Sequence, residues 1–153
     1  MAAKLAVRAL DPDDFDAALV LYETLTRDGS VAGKERFRQL LDHPGSTVFA
    51  SEAGQALTAM ATLHILPNMT QNGRPYALIE NVISLEHVRN QGHARAVMQA
   101  VVDAAWGADC YKVMLLTGQD TGARSFYEKL GFRADQKFGM QLRRVPPRKP
   151  NRT

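Results

Sequence analysis

The chain of 153 residues has a single cysteine, a single tryptophan and only four histidines. One thiol, Cys110, excludes an intrachain disulfide, and cytoplasmic residence is the simplest expectation. Cys110 lies between a helix end and a strand, where a buried or half-buried structural thiol is the ordinary reading. His43, His64, His87 and His93 show no H-x-x-x-H or Cys/His spacing, so no metal site is expected. No apolar run approaches the roughly 18–20 residues that span a bilayer. Met1-Ala2-Ala3-Lys4-Leu5 lacks the apolar stretch of a secretory signal. Neither G-x-G-x-x-G nor Gly-Lys-Ser/Thr occurs, which removes two nucleotide-binding fingerprints. No Ser-His-Asp constellation is legible. Acidic residues are missing from residues 143–153, which hold Arg143, Arg144, Arg148, Lys149 and Arg152. The whole chain carries +3, but without these five it carries −2. The basicity therefore belongs to a tail, read as solvated because no aromatic platform accompanies it. Neither nucleic acid nor membrane is an expected partner.

What is present is an ordinary globular composition, 45% hydrophobic and 23% charged, sufficient for one domain with a proper core. That domain is expected over residues 1–145. Residues 146–153, with Pro146, Pro147 and Pro150, are expected to be an extended or disordered tail. Residues 5–10 read as a strand. Asp11-Pro12-Asp13-Asp14 then starts a helix, with an acid at the cap and proline at the first helical position. A second helix places Phe37, Leu40 and Leu41 inward and stops at Pro44-Gly45. Residues 47–51 and 56–66 read as strands, and Asn72-Gly73 as a hairpin turn before a strand over 76–84. A helix follows to about Trp106, ended by Gly107. Residues 111–117 form a nearly continuous apolar run, expected at the centre of the sheet. A short helix spans 123–130, capped by Gly131. Residues 132–138 and 140–144 are expected as a last antiparallel pair turned at Gly139. The order β-α-α-β-β-β-α-β-α-β-β describes an α/β domain, a mixed sheet with helices packed on it.

The most informative stretch is Val82-Ile83-Ser84-Leu85-Glu86-His87-Val88-Arg89-Asn90-Gln91-Gly92-His93-Ala94-Arg95. An apolar strand ends, a polar turn with a glycine follows, and an apolar helical face begins. Such a junction leaves free backbone N–H groups at a helix start, where the helix dipole adds partial positive charge. The place suits an anion, and a phosphate above all. Gly92 lets the backbone approach the ligand, and Ala94 keeps the helix start open. Arg89 and Arg95 are placed to neutralise charge, although the amides matter more. Taken alone, Gly92 reads equally well as a plain turn glycine.

With these residues in view, the chain resembles the GNAT superfamily of acyl-CoA-dependent N-acetyltransferases. The family's phosphate loop, Arg/Gln-x-x-Gly-x-Gly/Ala, corresponds to Arg89-Asn90-Gln91-Gly92-His93-Ala94. A second family element, a strand and short helix ending in Gly-Phe, corresponds to residues 111–117 and Ala123-Arg124-Ser125-Phe126-Tyr127-Glu128-Lys129-Leu130-Gly131-Phe132. The resemblance implies a mostly antiparallel sheet splayed between strands 4 and 5, with helices on both faces. It implies that main-chain groups of Val82, Ile83 and Ser84 pair with the pantetheine arm of acetyl-CoA. It implies that amides from Asn90 to Arg95, through Gln91, Gly92, His93 and Ala94, cradle the pyrophosphate. Tyr127 matches the tyrosine that protonates the departing thiolate, against a plain packing role beside Phe126. Where many members carry asparagine, seven residues before the tyrosine, this chain has Asp120.

An acceptor amine must lose a proton, so a general base is expected. Glu80 is the candidate, because a lone carboxylate in Leu78-Ile79-Glu80-Asn81-Val82-Ile83 is costly unless paired or functional. The competing reading has Glu80 facing solvent or pairing with an arginine. Asn81 and His64 are weaker candidates for lining the acceptor pocket, as are Asn68 and Arg74. The implied activity is direct transfer of acetyl from acetyl-CoA to a primary amine, without a metal or an acyl-enzyme. Ile79-Glu80-Asn81-Val82-Ile83 and Cys110-Tyr111-Lys112-Val113 lean toward members acting on small molecules, glucosamine-phosphate acetyltransferases among them. A protein N-acetyltransferase and a non-catalytic acyl-CoA sensor or assembly module are the alternatives. A homodimer is expected, since family members often pair through C-terminal strands.

Overall fold

The computed structural model describes residues 5–147, so of the tail expected over 146–153 all but Pro146 and Pro147 lies outside the described residues. The chain divides into two compact units, one ending at Leu115 and one beginning at Leu116.

In the first unit the capping pattern read at Asp11 forms. Asp11 accepts from the Asp13 amide at 2.8 Å, and Asp14 accepts from the Asp11 amide at 2.8 Å. The 3-10 turn Pro12–Asp14 leads straight into α1 (Phe15–Thr26). Arg8 in β1 (Ala6–Ala9) donates to both Asp14 oxygens at 2.7 Å and to Glu52 at 2.8 Å, tying β1, the start of α1 and the next strand together.

The strands β2 (Ser46–Ala53), β3 (Ala56–Leu66), β4 (Tyr76–Ser84) and β5 (Val113–Met114) complete a sheet in the order β1-β2-β3-β4-β5. The first four are antiparallel, and β5 is parallel to β4. Alternation along β2 and β3 divides the core between two faces. Val48, Ala50, Leu57 and Met60 pack with Phe15, Ala18 and Leu21 of α1 and with Phe37 of α2 (Lys34–Asp42). Tilted ring contacts of Phe37 with Phe15 at 5.7 Å and Tyr22 at 6.5 Å lock the two helices together. The opposite face meets α3 (His93–Gly107) through buried Val97, Met98, Val101 and Ala105. Covering on both sides explains why β3 is buried without a break over 57–63. Complete burial of Leu21 and Met98 contributes about 2 kcal/mol each by area.

Several expectations are corrected. The link over 67–75 is a loop containing a 3-10 turn, Gln71–Gly73, with Asn72 left-handed at φ 58°, and no tight two-residue hairpin forms. Helix α3 runs through Gly107, and the left-handed residue just after it is Asp109 at φ 62°. Cys110 is buried, as its structural reading requires. Of the run 111–117 only Val113–Met114 pairs, and it forms the sheet edge, not the centre.

In the second unit α4 (Arg124–Lys129) is followed by left-handed Gly131 at φ 96°. Neither 132–138 nor 140–144 forms a strand among the described residues. A strand needs a neighbouring edge, and Phe138, Met140 and Leu142 stand almost fully exposed on an unpaired chain. Gly139 makes a close approach instead of a turn, since a Cβ there would lie 2.7 Å from Leu116 Cδ2. Among the described residues, no helix is long and apolar enough to cross a membrane.

The Arg8 hydrogen bonds hold the Asp14 carboxyl below its ordinary value of 3.8. This stabilisation is complete above that value and is lost as pH falls through the lower folded value. Asp14→Asn should cost about 1 kcal/mol at neutral pH, the exposure of Arg8 keeping it modest. The difference from wild type should shrink toward acid, as followed by thermal unfolding across pH.

Candidate active site

Strand β4 carries one extra residue against β3. Met60 faces Ile83 but Thr62 faces Glu80, and between them Asn81 adopts φ 54°. Asparagine tolerates this left-handed geometry, which a β-branched residue would not. The bulge redirects the second half of β4. From Ile79 to Ser84 that strand has no ladder partner on its β5 side among the described residues, because β5 pairs only with Ala77 and Leu78. The sheet is thus open beside Val82, Ile83 and Ser84. Glu80 and Asn81 are exposed on this stretch. Glu80 has neither the burial nor the arginine pairing considered for it, and its side chain makes no hydrogen bond among the described residues.

The junction to α3 has a defined hydrogen-bond economy. A 3-10 turn, Glu86–Val88, leaves the strand. The Gln91 amide donates to Val88 O at 3.3 Å, and its side chain donates to His87 O at 2.8 Å. Gln91 therefore uses its backbone donor and one side-chain donor within the turn. Gly92 sits at φ 87°, with nothing within 4 Å of where a Cβ would be. The first bond of α3 runs from the Ala96 amide to Gly92 O at 2.9 Å. The amides of Gly92, His93, Ala94 and Arg95, and that of Asn90, have no acceptor among the described residues. A run of open donors at the positive end of a 15-residue helix suits an anion. Arg89 and Arg95 are exposed nearby in sequence, whereas the His93 ring is buried.

A cavity of about 330 Å³ in the first unit is lined by Tyr22, Thr26, Arg36, Phe37, Leu40 and Asn81, among others. Tyr22 Oη, Thr26 Oγ1 and Thr62 Oγ1 are buried without a hydrogen bond of ordinary geometry, although the Tyr22 hydroxyl is turned toward Thr62 and that of Thr26 toward Asp28. The Tyr22 and Thr26 hydroxyls, lining a cavity of this size, fit a small polar ligand. In the sequence Tyr22 shares the helical spacing of Phe15, Ala18, Leu19 and Leu25, which reads as a core face, and Thr26 and Arg36 are not marked. The available signal was two hydroxyls four residues apart on the inward face of α1.

Other candidates serve local structure. His64 Nδ1 lies 2.8 Å from Ser46 Oγ, which also meets His43 Nδ1 at 3.1 Å. Arg74 pairs with Asp109 at 2.9 Å, and Asn68 donates to Thr70 and Arg74 carbonyls. In the second unit Tyr127 is only 9% exposed. It lies edge-on to Phe126 at 5.1 Å and to Phe132 at 6.1 Å. Burial pushes its phenol above the ordinary 10.0. Asp120 is exposed in a turn after Gly118.

A five-stranded mixed sheet, opened beside β4 and passing through a glycine turn into α3, is the fold of the GNAT acetyltransferases. The chain belongs to the acetyltransferase (GNAT) family, whose profile matches residues 13–132, and it is an acetyltransferase. It is 30% identical over 139 residues to a glucosamine 6-phosphate N-acetyltransferase of Trypanosoma brucei brucei, covering 87% of this chain and 92% of that protein. A solved structure from Agrobacterium tumefaciens str. C58, named for an inferred acetyltransferase activity, superposes with a TM-score of 0.86 at 40% identity. That match covers 91% of this chain and 99% of the other. An acetyltransferase structure from Trypanosoma brucei gives a TM-score of 0.79 at 27% identity, covering 92% and 99%.

Tyr22 and Tyr127 are both raised above 10.0, chiefly by burial. Stability that depends on their neutral phenols is complete below that value and is lost as pH rises through the higher folded values. Spectrophotometric titration of the native protein should show two of the four tyrosines ionising late. Tyr127→Phe should remove one late step and soften alkaline unfolding.

Proposed function

We infer that this acetyltransferase moves an acetyl group from acetyl-CoA directly to a primary amine of a small molecule. The observation that carries the reading is the row of unpaired amides from Gly92 to Arg95. Its donors, the helix end behind them and the open space at Gly92 match what a diphosphate needs. Acetyl-CoA would supply the activated thioester. Amides of Asn90, Gly92, His93, Ala94 and Arg95 would hold its phosphates, and exposed Arg89 and Arg95 would add charge. Gln91 contributes by closing the turn instead of by its amide. On the side away from β3, the main chain of Val82, Ile83 and Ser84 would pair with the pantetheine arm. Holding both reactants side by side supplies much of the rate.

Tyr127 is the proposed acid. A phenol whose burial keeps it protonated is suited to donate as the C–S bond breaks. Glu80, exposed on the opened stretch of β4, is the proposed proton acceptor for the amine, directly or through water. The Tyr22–Thr26–Arg36 cavity is the proposed acceptor pocket, and its volume suits a small molecule better than a protein segment. A relative named for glucosamine 6-phosphate makes phosphorylated amino sugars the first acceptors to try.

A second copy of the chain is the proposed partner. Phe138, Met140 and Leu142 alternate in sequence along an unpaired stretch at 98%, 91% and 103% exposure. Across a two-fold axis such a strand meets the same pattern in its copy, which covers apolar side chains and unpaired backbone together.

A thiol-release assay with acetyl-CoA should show turnover with glucosamine 6-phosphate or another small amine. Tyr127→Phe should lower kcat by about 10²-fold while CoA affinity stays within about twofold. Cofactor binding without thiol release from any amine would support the sensor reading, and acceptance of peptide amines alone would support protein acetylation. Light scattering should give twice the 16.9 kDa chain mass. Met140→Lys with Leu142→Lys should give a monomer, and a monomeric wild type would contradict the proposed pairing.

A further inference from the structure

Residue 93 carries the first open amide of α3, yet its side chain turns the other way. The imidazole is 7% exposed, and its Nδ1 lies 2.7 Å from Thr58 Oγ1 on β3. Thr58 Oγ1 lies 2.8 Å from Ser51 Oγ and 3.2 Å from Ser51 O, both on β2. Thr58 and Ser51 are buried as well. Thr58 has one proton to give, and Ser51 O and His93 Nδ1 both lie within its reach. Given to Ser51 O, it leaves Thr58 Oγ1 accepting from Ser51 Oγ–H and from His93 Nδ1–H. Given to His93 Nδ1, it leaves Thr58 Oγ1 accepting from Ser51 Oγ–H alone. In either tautomer the three side chains form one continuous buried chain.

Thr58 does a second thing. Its backbone carbonyl accepts from the Leu85 amide at 2.9 Å. Leu85 opens the turn that leaves β4, and His93 closes it. One residue of β3 therefore pins both ends of the phosphate-loop segment, one end through its carbonyl and the other through its hydroxyl. Gly92, left-handed and without a side chain, would otherwise act as a swivel immediately before the amide row.

We propose that His93, Thr58 and Ser51 form a buried positioning chain that fixes the direction of the amides at the start of α3 and so sets the affinity for a diphosphate-bearing donor. This rests on the proposed acetyl-CoA reading. His93 acts here as a positioning residue through its side chain, separately from the contact proposed for its amide. Because the chain orients donors that hold the ligand equally before and during reaction, its loss acts on binding and leaves kcat nearly unchanged.

The test compares Thr58→Val with Thr58→Ser. Valine keeps the shape and the backbone bond to Leu85 but removes the hydroxyl. Serine keeps the hydroxyl and loses only the methyl group. By calorimetric titration with CoA, Thr58→Val should raise Kd about tenfold and Thr58→Ser less than about twofold, although both lower Tm. The KM for acetyl-CoA should rise with Kd in Thr58→Val. Pantetheine, which lacks the diphosphate, should bind wild type and Thr58→Val equally. Thr58→Val binding CoA like wild type, or Thr58→Ser losing as much as Thr58→Val, would overturn the positioning role. Wild type failing to bind CoA would instead overturn the functional reading beneath it.

Discussion

The start of α3 must be held firmly against the sheet while its first amides stay without partners. Buried backbone donors are almost always paired, so a helix end can leave several open only where solvent or a ligand meets them. Everything around that point reconciles the two demands. β4 delivers the chain, and the 3-10 turn and Gln91 close the loop with their own hydrogen bonds. Gly92 supplies the left-handed step. Behind it the apolar stripe of Val97, Met98, Val101 and Ala105 seats the helix. Packing supplies rigidity, and the amides remain open.

The asparagine bulge in β4 extends the same logic into the sheet. One additional residue against β3 redirects the strand, and the short β5 leaves the far half of β4 without a ladder partner on that side among the described residues. Main chain that would be spent on a ladder is thereby free for a ligand. Both devices use backbone groups, so the donor side of such a site depends little on side-chain identity. The proposed acceptor pocket is different in kind. Tyr22, Thr26, Arg36 and Asn81 come from α1, α2 and β4, and there side chains, not backbone groups, form the lining.

This difference explains how much the sequence disclosed. The glycine turn, the strand before it and the amphipathic helix after it are local signals, and 76–84 and 93–107 were legible nearly to the residue. The cap at Asp11 was legible for the same reason. Strand partnership is not local. Residues 111–117 carry the apolar run of a central strand, yet only two of them pair, and the period-two pattern of 138–142 meets no edge among the described residues. The buried Thr58–His93 bond was invisible because it joins residues 35 apart on different elements. The cavity hydroxyls were hidden differently, since Tyr22 and Thr26 satisfy the helical spacing of core residues.

The central claim is that the amides opening α3 grip the phosphates of coenzyme A. Backbone amide NMR of the isotopically labelled chain, titrated with CoA, tests it most directly. The predicted result is the largest shifts and the strongest gain in exchange protection at Gly92, His93, Ala94 and Arg95, with Val82 to Ser84 following and Gln91 little changed. Saturable CoA binding that leaves those four amides unperturbed would contradict the account.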